Sequence, residues 1–386
     1  MGTSHRVDPN RHPEILDCAQ QTASSHAAAV ATALRLLRAG RVVALPTETV
    51  YGLAGLVSCP EALKSIFQMK SRPALDPLIV HIFDFSLVDR FAVLTVRQRE
   101  VAEALAQKFW PGPLTLVLES RDDVSPLVRS GGPTVALRSP HHGFFRQVLQ
   151  ELGDGVAAPS ANMFGHISPT TAAHVASEFP DSDLVIFDGG PCRVGIESTI
   201  VRVTPDGQLR VLRPGVITAE QLAAAVQHGG AAGAQGAAEE GLLTPGTAVR
   251  HYAPVLPAFV LDQVLSGRPD ALVAQGGDRY FAQDVVVLDY GSQLRAKGVA
   301  VEDFLAYLNP VEGDDLEGFT RELFASLRKA EAVPGARAVA LHYPVKPGDA
   351  GARWSAAIWD RLNRAASGRS ARLVSREVRK DSELTL

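Results

Sequence analysis

Cysteine is scarce in this chain of 386 residues: Cys18, Cys59 and Cys192 lie far apart and are odd in number. That excludes a disulfide framework and a Cys-rich zinc site, and it is the usage of a reducing cytosol. Aromatic residues make up only 6%, and the formal net charge is a modest −4. Both weigh against a protein that grips nucleic acid over its whole surface. Apolar runs of the roughly 18 residues that a membrane-spanning helix requires are missing. Residues 1–20 lack the apolar stretch of a signal peptide and read as a polar lead-in. The expectation is a cytoplasmic chain with no membrane partner.

Several motifs are absent as well. Without a G-x-x-x-x-G-K-[ST] loop, a P-loop nucleotide site is not expected. The lack of H-E-x-x-H, C-x-x-C and G-x-S-x-G removes protein-ligated zinc and elbow-type hydrolase chemistry. Gly153-Asp154-Gly155 followed by Ala158 imitates a dinucleotide fingerprint. It precedes a strand pattern where it should follow one, so it reads as a turn.

What is present is globular and mixed α/β. The hydrophobic fraction is 46% and the charged fraction 21%. The length exceeds that of one hydrophobic core, so two domains are expected. Short apolar runs predict strands at 42–45, 78–83, 114–119, 134–138, 156–158, 184–187, 198–203 and 210–212. Helical spacing predicts helices after Ser24 or Ser25, after a Ser58-x-x-Glu61 capping box, at 97–109, 144–152 and 170–179, and after Thr218. Gly229 to Glu240 is Gly/Ala-rich without apolar periodicity, which marks a linker. Beyond it, strands are expected at 259–261, 271–274, 285–288 and 338–341, and helices at 301–308, 319–330 and 356–366. The resulting division is a lead-in (1–23), a first α/β domain (24–218), a linker (219–254), a smaller α/β domain (255–370) and a basic polar tail (371–386).

Chemistry concentrates in the first domain. Pro46-Thr47-Glu48-Thr49-Val50-Tyr51-Gly52-Leu53 follows a buried-strand pattern. It is either a ligand segment at a strand's carboxyl end or a turn stapled by threonine hydroxyls. Lys70-Ser71-Arg72-Pro73 closes a helix and leads to Asp76, offering either a dipole complement or a phosphate clamp, because the guanidinium fork matches phosphate oxygens. His81 sits inside an apolar strand, as a core residue or as a ligand contact. Thr134 and Arg138 share one strand face by period-two alternation. Ser160 lies in the small, polar Ala157–Asn162 stretch, and Ser168-Pro169-Thr170 reads as a helix N-cap with free N–H groups suited to an anion. Glu197-Ser198-Thr199 and Leu212-Arg213-Pro214-Gly215 follow in order.

Taken together, the strings PTETVYGL, KSRPALDPLIVHI, FWPGPLTLVL, APSAN, DGG…GIESTIV and LRPG, in this order over residues 25–218, resemble the YrdC-type threonylcarbamoyl-AMP synthase family. Leu243-Thr244-Pro245-Gly246-Thr247…Arg250-His251-Tyr252-Ala253-Pro254 resembles the interdomain linker of its longer, two-domain branch. The resemblance implies a twisted mixed-sheet YrdC-like domain with a large concave, basic cavity, plus a smaller Rossmann-like α/β domain. It implies a nucleotidyltransferase that joins L-threonine, bicarbonate or CO2, and ATP with its Mg2+ into threonylcarbamoyl-AMP and pyrophosphate. A downstream transferase complex then passes the threonylcarbamoyl group to the adenosine beside a tRNA anticodon.

By residue, the resemblance implies that Thr49, His81, Arg138 and Ser198 contact threonine. Arg72, Asp76, Thr134, Ser160, Ser168, Arg213 and the linker's Tyr252 fall to the nucleotide, with Lys70 and Arg72 as the catalytic cations. No side-chain metal ligand is expected. Asp76 stands where the family often has Asn, and His141-His142-Gly143 replaces a common His-Pro. Rival expectations are a YrdC-type carbamoyltransferase with another acceptor and a tRNA- or double-stranded-RNA-binding module without catalysis.

Overall fold

The computed structural model describes residues 12–19, 22–73, 76–226, 251–264, 267–343 and 354–375. The chain forms two compact units, Met1–His251 and Tyr252–Leu386.

The first unit opens with β1 (Glu14–Asp17), α1 (Ala23–Arg38), β2 (Val43–Leu45), β3 (Gly52–Leu56), α2 (Pro60–Lys70) and β4 (Ile79–His81). It continues through α3 (Val96–Phe109), β5 (Leu114–Glu119), α4 (Pro126–Arg129), β6 (Thr134–Arg138), α5 (Gly143–Leu152) and β7 (Val156–Ala157). Last come α6 (Ala172–Glu178), β8 (Val185–Asp188), β9 (Thr199–Val203), β10 (Leu209–Arg213) and α7 (Ala219–Val226). The strands form one mixed sheet in the order β1-β8-β2-β3-β7-β4-β6-β5-β9-β10.

Alternation along each strand sorts the core into two layers. Val80, Leu116, Leu137 and Val201 point to the side covered by α2, α3, α6 and α7, where Leu63, Leu105, Val175 and Leu222 complete the main cluster. Val43, Leu45, Val156 and Phe187 point the other way, against Val30, Leu37, Phe144 and Phe145 of α1 and α5. Phe187 is fully buried and stacks on Phe144 at 5.1 Å. Phe187→Ala is expected to cost about 3–5 kcal/mol by leaving a cavity there, measurable as a lowered midpoint in denaturant unfolding. On that same side, under β4, β6, β5 and β9, Ile79, Ala136, Val117 and Ile200 form a small apolar floor with Leu212 packed against it.

Several expectations need correction. The lead-in contains a strand, β1, paired in parallel with β8, because its backbone completes the sheet edge. The first helix is capped by Thr22, whose hydroxyl accepts from the Ser25 N–H in a capping box. The second starts behind Cys59 with Pro60 in the first turn and no side-chain cap, so the Ser58 box does not form. Thr218 and Gln221 do cap each other, and α7 buries Leu222 and Val226 in the first unit's core although it falls in the expected linker. The Gly229 to Glu240 stretch lies outside the described residues.

The second unit has β11 (Ala258–Gln263), β12 (Pro269–Ala274), β13 (Arg279–Phe281), β14 (Val285–Asp289), α8 (Gln293–Ala296), β15 (Ala306–Leu308), α9 (Leu316–Glu331), β16 (Ala338–His342), α10 (Ser355–Ala365) and β17 (Ser370–Ser375). Its sheet runs β13-β12-β17-β11-β16-β14-β15, with five neighbouring strands parallel. The expected helix at 301–308 is a single 3-10 turn followed by β15, because its apolar residues pair along the sheet. Residues 370–375, which overlap the expected polar tail, form an interior strand between β12 and β11. At the carboxyl ends of β14 and β16, buried Asp289 and His342 pair at 2.6 Å, and the Tyr307 hydroxyl donates to Asp289.

Candidate active site

The apolar floor is ringed by polar side chains, and strand register explains why. His81 pairs with Arg138 across parallel β4 and β6, and Ile79 with Ala136, so His81, Arg138 and Thr134 share the floor's face. Thr115 pairs with Ile200, and Ile200 with Arg213, which brings Thr115 of β5 and Arg213 of β10 to that face, with Ser198 just ahead of β9. The candidate site therefore lies across the sheet's face. It is not confined to strand ends.

At one end stands Arg138. Its guanidinium donates to the Glu48 carboxylate at 2.7 Å and to the Gly112 carbonyl at 3.3 Å. The second Glu48 oxygen accepts the His141 N–H at 3.0 Å. Both side chains of this ion pair are buried, 5% and 7% exposed. The turn carrying Glu48 is stapled by Thr47, whose hydroxyl accepts the N–H groups of Thr49 and Val50 and donates to the Val50 carbonyl. Thr49 is fully buried with its hydroxyl 2.9 Å from that of Thr47. The stapling role thus falls to one threonine of the motif, and the other remains beside the ion pair.

The His81 ring packs against Phe145 at a tilt of 32°, centroids 5.3 Å apart, and its Nδ1 is buried without a hydrogen-bond partner among the described residues. Burial, assisted by the Arg138 charge, pushes its pKa down to about 3, so the ring is neutral across physiological pH.

At the other end is a cluster of cations around Asp76. Arg72 meets the Asp76 carboxylate at 3.0 Å and also donates to the carbonyls of Asp76 and Pro77. Burial raises the Asp76 pKa, opposed by the charges of Arg72, Lys70 and Arg213. The carboxylate that stands where the family often has Asn is thus surrounded by three basic side chains. Lys70 is buried, and its ammonium donates to the carbonyls of Ser160 and Asn162. Burial first, then the Arg72 charge, hold its pKa well below the ordinary lysine value. An incoming anion reverses that balance by favouring the charged form.

Arg213 and Ser198 join the two ends. Arg213 donates to the Ser198 carbonyl at 2.9 and 3.1 Å and to its hydroxyl at 3.1 Å, and that hydroxyl lies 2.7 Å from Thr115 Oγ1. Gly215 permits this joint: a Cβ there would sit 2.4 Å from the Thr199 nitrogen, where Thr199 exchanges hydrogen bonds with Ile217.

The helix cap expected at one of these residues does not form. Ser168 is no helix cap; its hydroxyl donates to Glu197, and α6 starts later behind Thr171. Tyr252 is buried in the second unit, its ring 5.3 Å from Phe324 and 5.5 Å from the Arg361 guanidinium. Thr134 takes the upstream end of β6, opposite Glu119. Sequence reasoning missed the roles of Glu48, Thr115 and Glu197. Thr115 had a signal, as the lone polar residue of the apolar run Leu114–Leu118. Glu48 stood inside the quoted motif without a partner to suggest a role.

Comparisons with known proteins bear on the family and the fold. The Sua5–YciO–YrdC family model, described as "Telomere recombination", matches residues 35–215. A model described as "Threonylcarbamoyl-AMP synthase, C-terminal domain" matches residues 217–367. The chain is 40% identical to the threonylcarbamoyl-AMP synthase of Bacillus subtilis, over 65% of this chain and 72% of that protein. It is 36% identical to that of Pyrococcus abyssi, over 76% of this chain and 82% of the relative. The crystal structure of P. abyssi Sua5 complexed with L-threonine superposes with a TM-score of 0.74 at 30% identity, covering 92% of this chain and 98% of that one. On this combination of matched domains, relatives and fold, the chain belongs to the threonylcarbamoyl-AMP synthase family, in its two-domain Sua5 branch.

Proposed function

We propose that this chain is an L-threonylcarbamoyladenylate synthase, condensing L-threonine, bicarbonate or CO2, and ATP into threonylcarbamoyl-AMP and pyrophosphate. The observation that carries the reading is the division of the first unit's buried polar and charged side chains into two stations. One has Arg138, His81 and Thr49. The other has Lys70, Arg72 and Arg213 around Asp76. A relative's structure with L-threonine and relatives named for the product support the same assignment.

The chemistry asks for this division. Addition of the threonine amine to CO2 forms a C–N bond and, after proton loss, leaves a carbamate. One carbamate oxygen then attacks the α-phosphorus of ATP, a new P–O bond forms, and pyrophosphate departs with the electrons of the broken P–O bond. Two anions must be held against each other, so positioning and charge neutralisation account for most of the catalysis. Arg138 suits the threonine carboxylate and neutral His81 the polar part of the amino acid. Ser198 suits the polar groups of threonine, and Arg72, Arg213 and Lys70 suit the phosphates, with Thr134, Ser160 and Ser168 as hydroxyl partners. Mg2+ enters this reading with ATP, as part of the substrate. The product would pass to a threonylcarbamoyl transferase complex acting on tRNA.

A mass-spectrometric product assay with threonine, bicarbonate and ATP, each omitted in turn, tests the reading. Threonylcarbamoyl-AMP is expected only when all three are present. ATP consumption that ignores threonine would instead identify a carbamoyltransferase with another acceptor.

A further inference from the structure

We infer that Glu48 and Arg138 together form the seat of an amino-acid zwitterion, in which Arg138 takes the substrate's carboxylate and Glu48 its α-ammonium. This deepens the synthase reading and rests on it. A buried ion pair contributes little to stability for its desolvation cost, yet here one sits beside Thr49 and His81 with both side chains less than a tenth exposed. The pair is only partly saturated. Arg138 uses its Nη2 on Glu48 and its Nε on Gly112, and its Nη1 carries no hydrogen bond among the described residues. Glu48 accepts one hydrogen bond on each oxygen, from Arg138 and from the His141 N–H, and an ionised carboxylate has room for about four.

Charge balance argues the same way. An α-amino acid carries both signs within one small group, so a neutral pair can receive it without burying net charge. A site with Arg138 alone would bring the ammonium into a field of one sign, and neutral His81 cannot offset that field. Among the described residues, Glu48 is the carboxylate bonded to this arginine. Its place between Thr47 and Thr49, on a turn fixed by the Thr47 hydroxyl, sets its direction.

The test is equilibrium binding to the full chain, without ATP, of L-threonine and of 3-hydroxybutyrate, which lacks the ammonium. Native protein is expected to prefer threonine by about 30-fold or more, the scale of one charge-assisted contact. Glu48→Gln keeps the size but has one acceptor oxygen in place of two, so it can accept from Arg138 or from the His141 N–H, which in the native protein use separate oxygens. It should cut that preference to within about threefold without weakening 3-hydroxybutyrate or ATP. Glu48→Asp, which retains the charge, should keep most of the preference. A Glu48→Gln protein that preserves the full preference overturns the seat. So does one that binds both ligands more tightly by the same factor, since Glu48 would then be only a competitor for Arg138. If Glu48→Gln loses ATP affinity through misfolding, the aspartate variant decides, and loss of preference there counts against the inference. Native protein that binds ATP but no threonine would remove the substrate assignment itself, a failure distinct from a fault in Glu48.

Discussion

Arg138→Ala is expected to reduce threonine-dependent pyrophosphate release by about a thousandfold or more, because the carboxylate anchor that orients the nucleophile is gone. It should also cost about 3–5 kcal/mol of folding stability, since the buried Glu48 carboxylate is left without its ion-pair partner. The two effects separate in a double variant. Arg138→Ala combined with Glu48→Gln should recover most of the stability in a denaturant titration while turnover stays lost. Turnover close to native in Arg138→Ala would move the threonine station elsewhere on the sheet.

Arg72→Ala is expected to suppress pyrophosphate release by about 10³-fold, the range seen when an arginine that stabilises phosphoryl charge is removed. Its fork is oriented in advance by the carbonyls of Asp76 and Pro77 and by the Asp76 carboxylate, so Arg72→Lys should rescue little. Asp76 complicates the simple variant, because burial already raises its pKa and Arg72 is the largest opposing influence. Adding Asp76→Asn should relieve that strain and restore the melting temperature without restoring turnover. Threonine binding should survive in both proteins. An Arg72→Ala enzyme with undiminished pyrophosphate release would dismiss the phosphate clamp.

Local pattern carried much of the fold. β5 and β6 coincide with their expected spans, since a run of apolar residues bounded by turn residues leaves little else for Leu114–Glu119 and Thr134–Arg138 to do. Helices α3 and α5 begin within a residue of expectation for the same reason. The failures share a cause. Glu14–Asp17 has mostly exposed side chains and becomes a strand through backbone pairing with β8, and Ser370–Ser375 is drawn between two strands distant in sequence. In both, hydrogen bonds to remote segments outweigh the weak preference of a short polar run.

The sequence by itself determined which residues could do chemistry and, through alternation, which of them share a strand face: Thr134 with Arg138, and His81 with Ile79. It also carried the motif order that identifies the family. Only the tertiary structure decided who meets whom. Arg138 meets Glu48 from 90 positions away, Lys70 meets the Ser160 carbonyl from the same separation, and Arg213 closes on Ser198 through a β9–β10 pairing. Such contacts depend on strand order and register across a ten-stranded sheet. A side chain's type fixes what it can bond, and only the folded path of the backbone brings a particular partner within 3 Å of it.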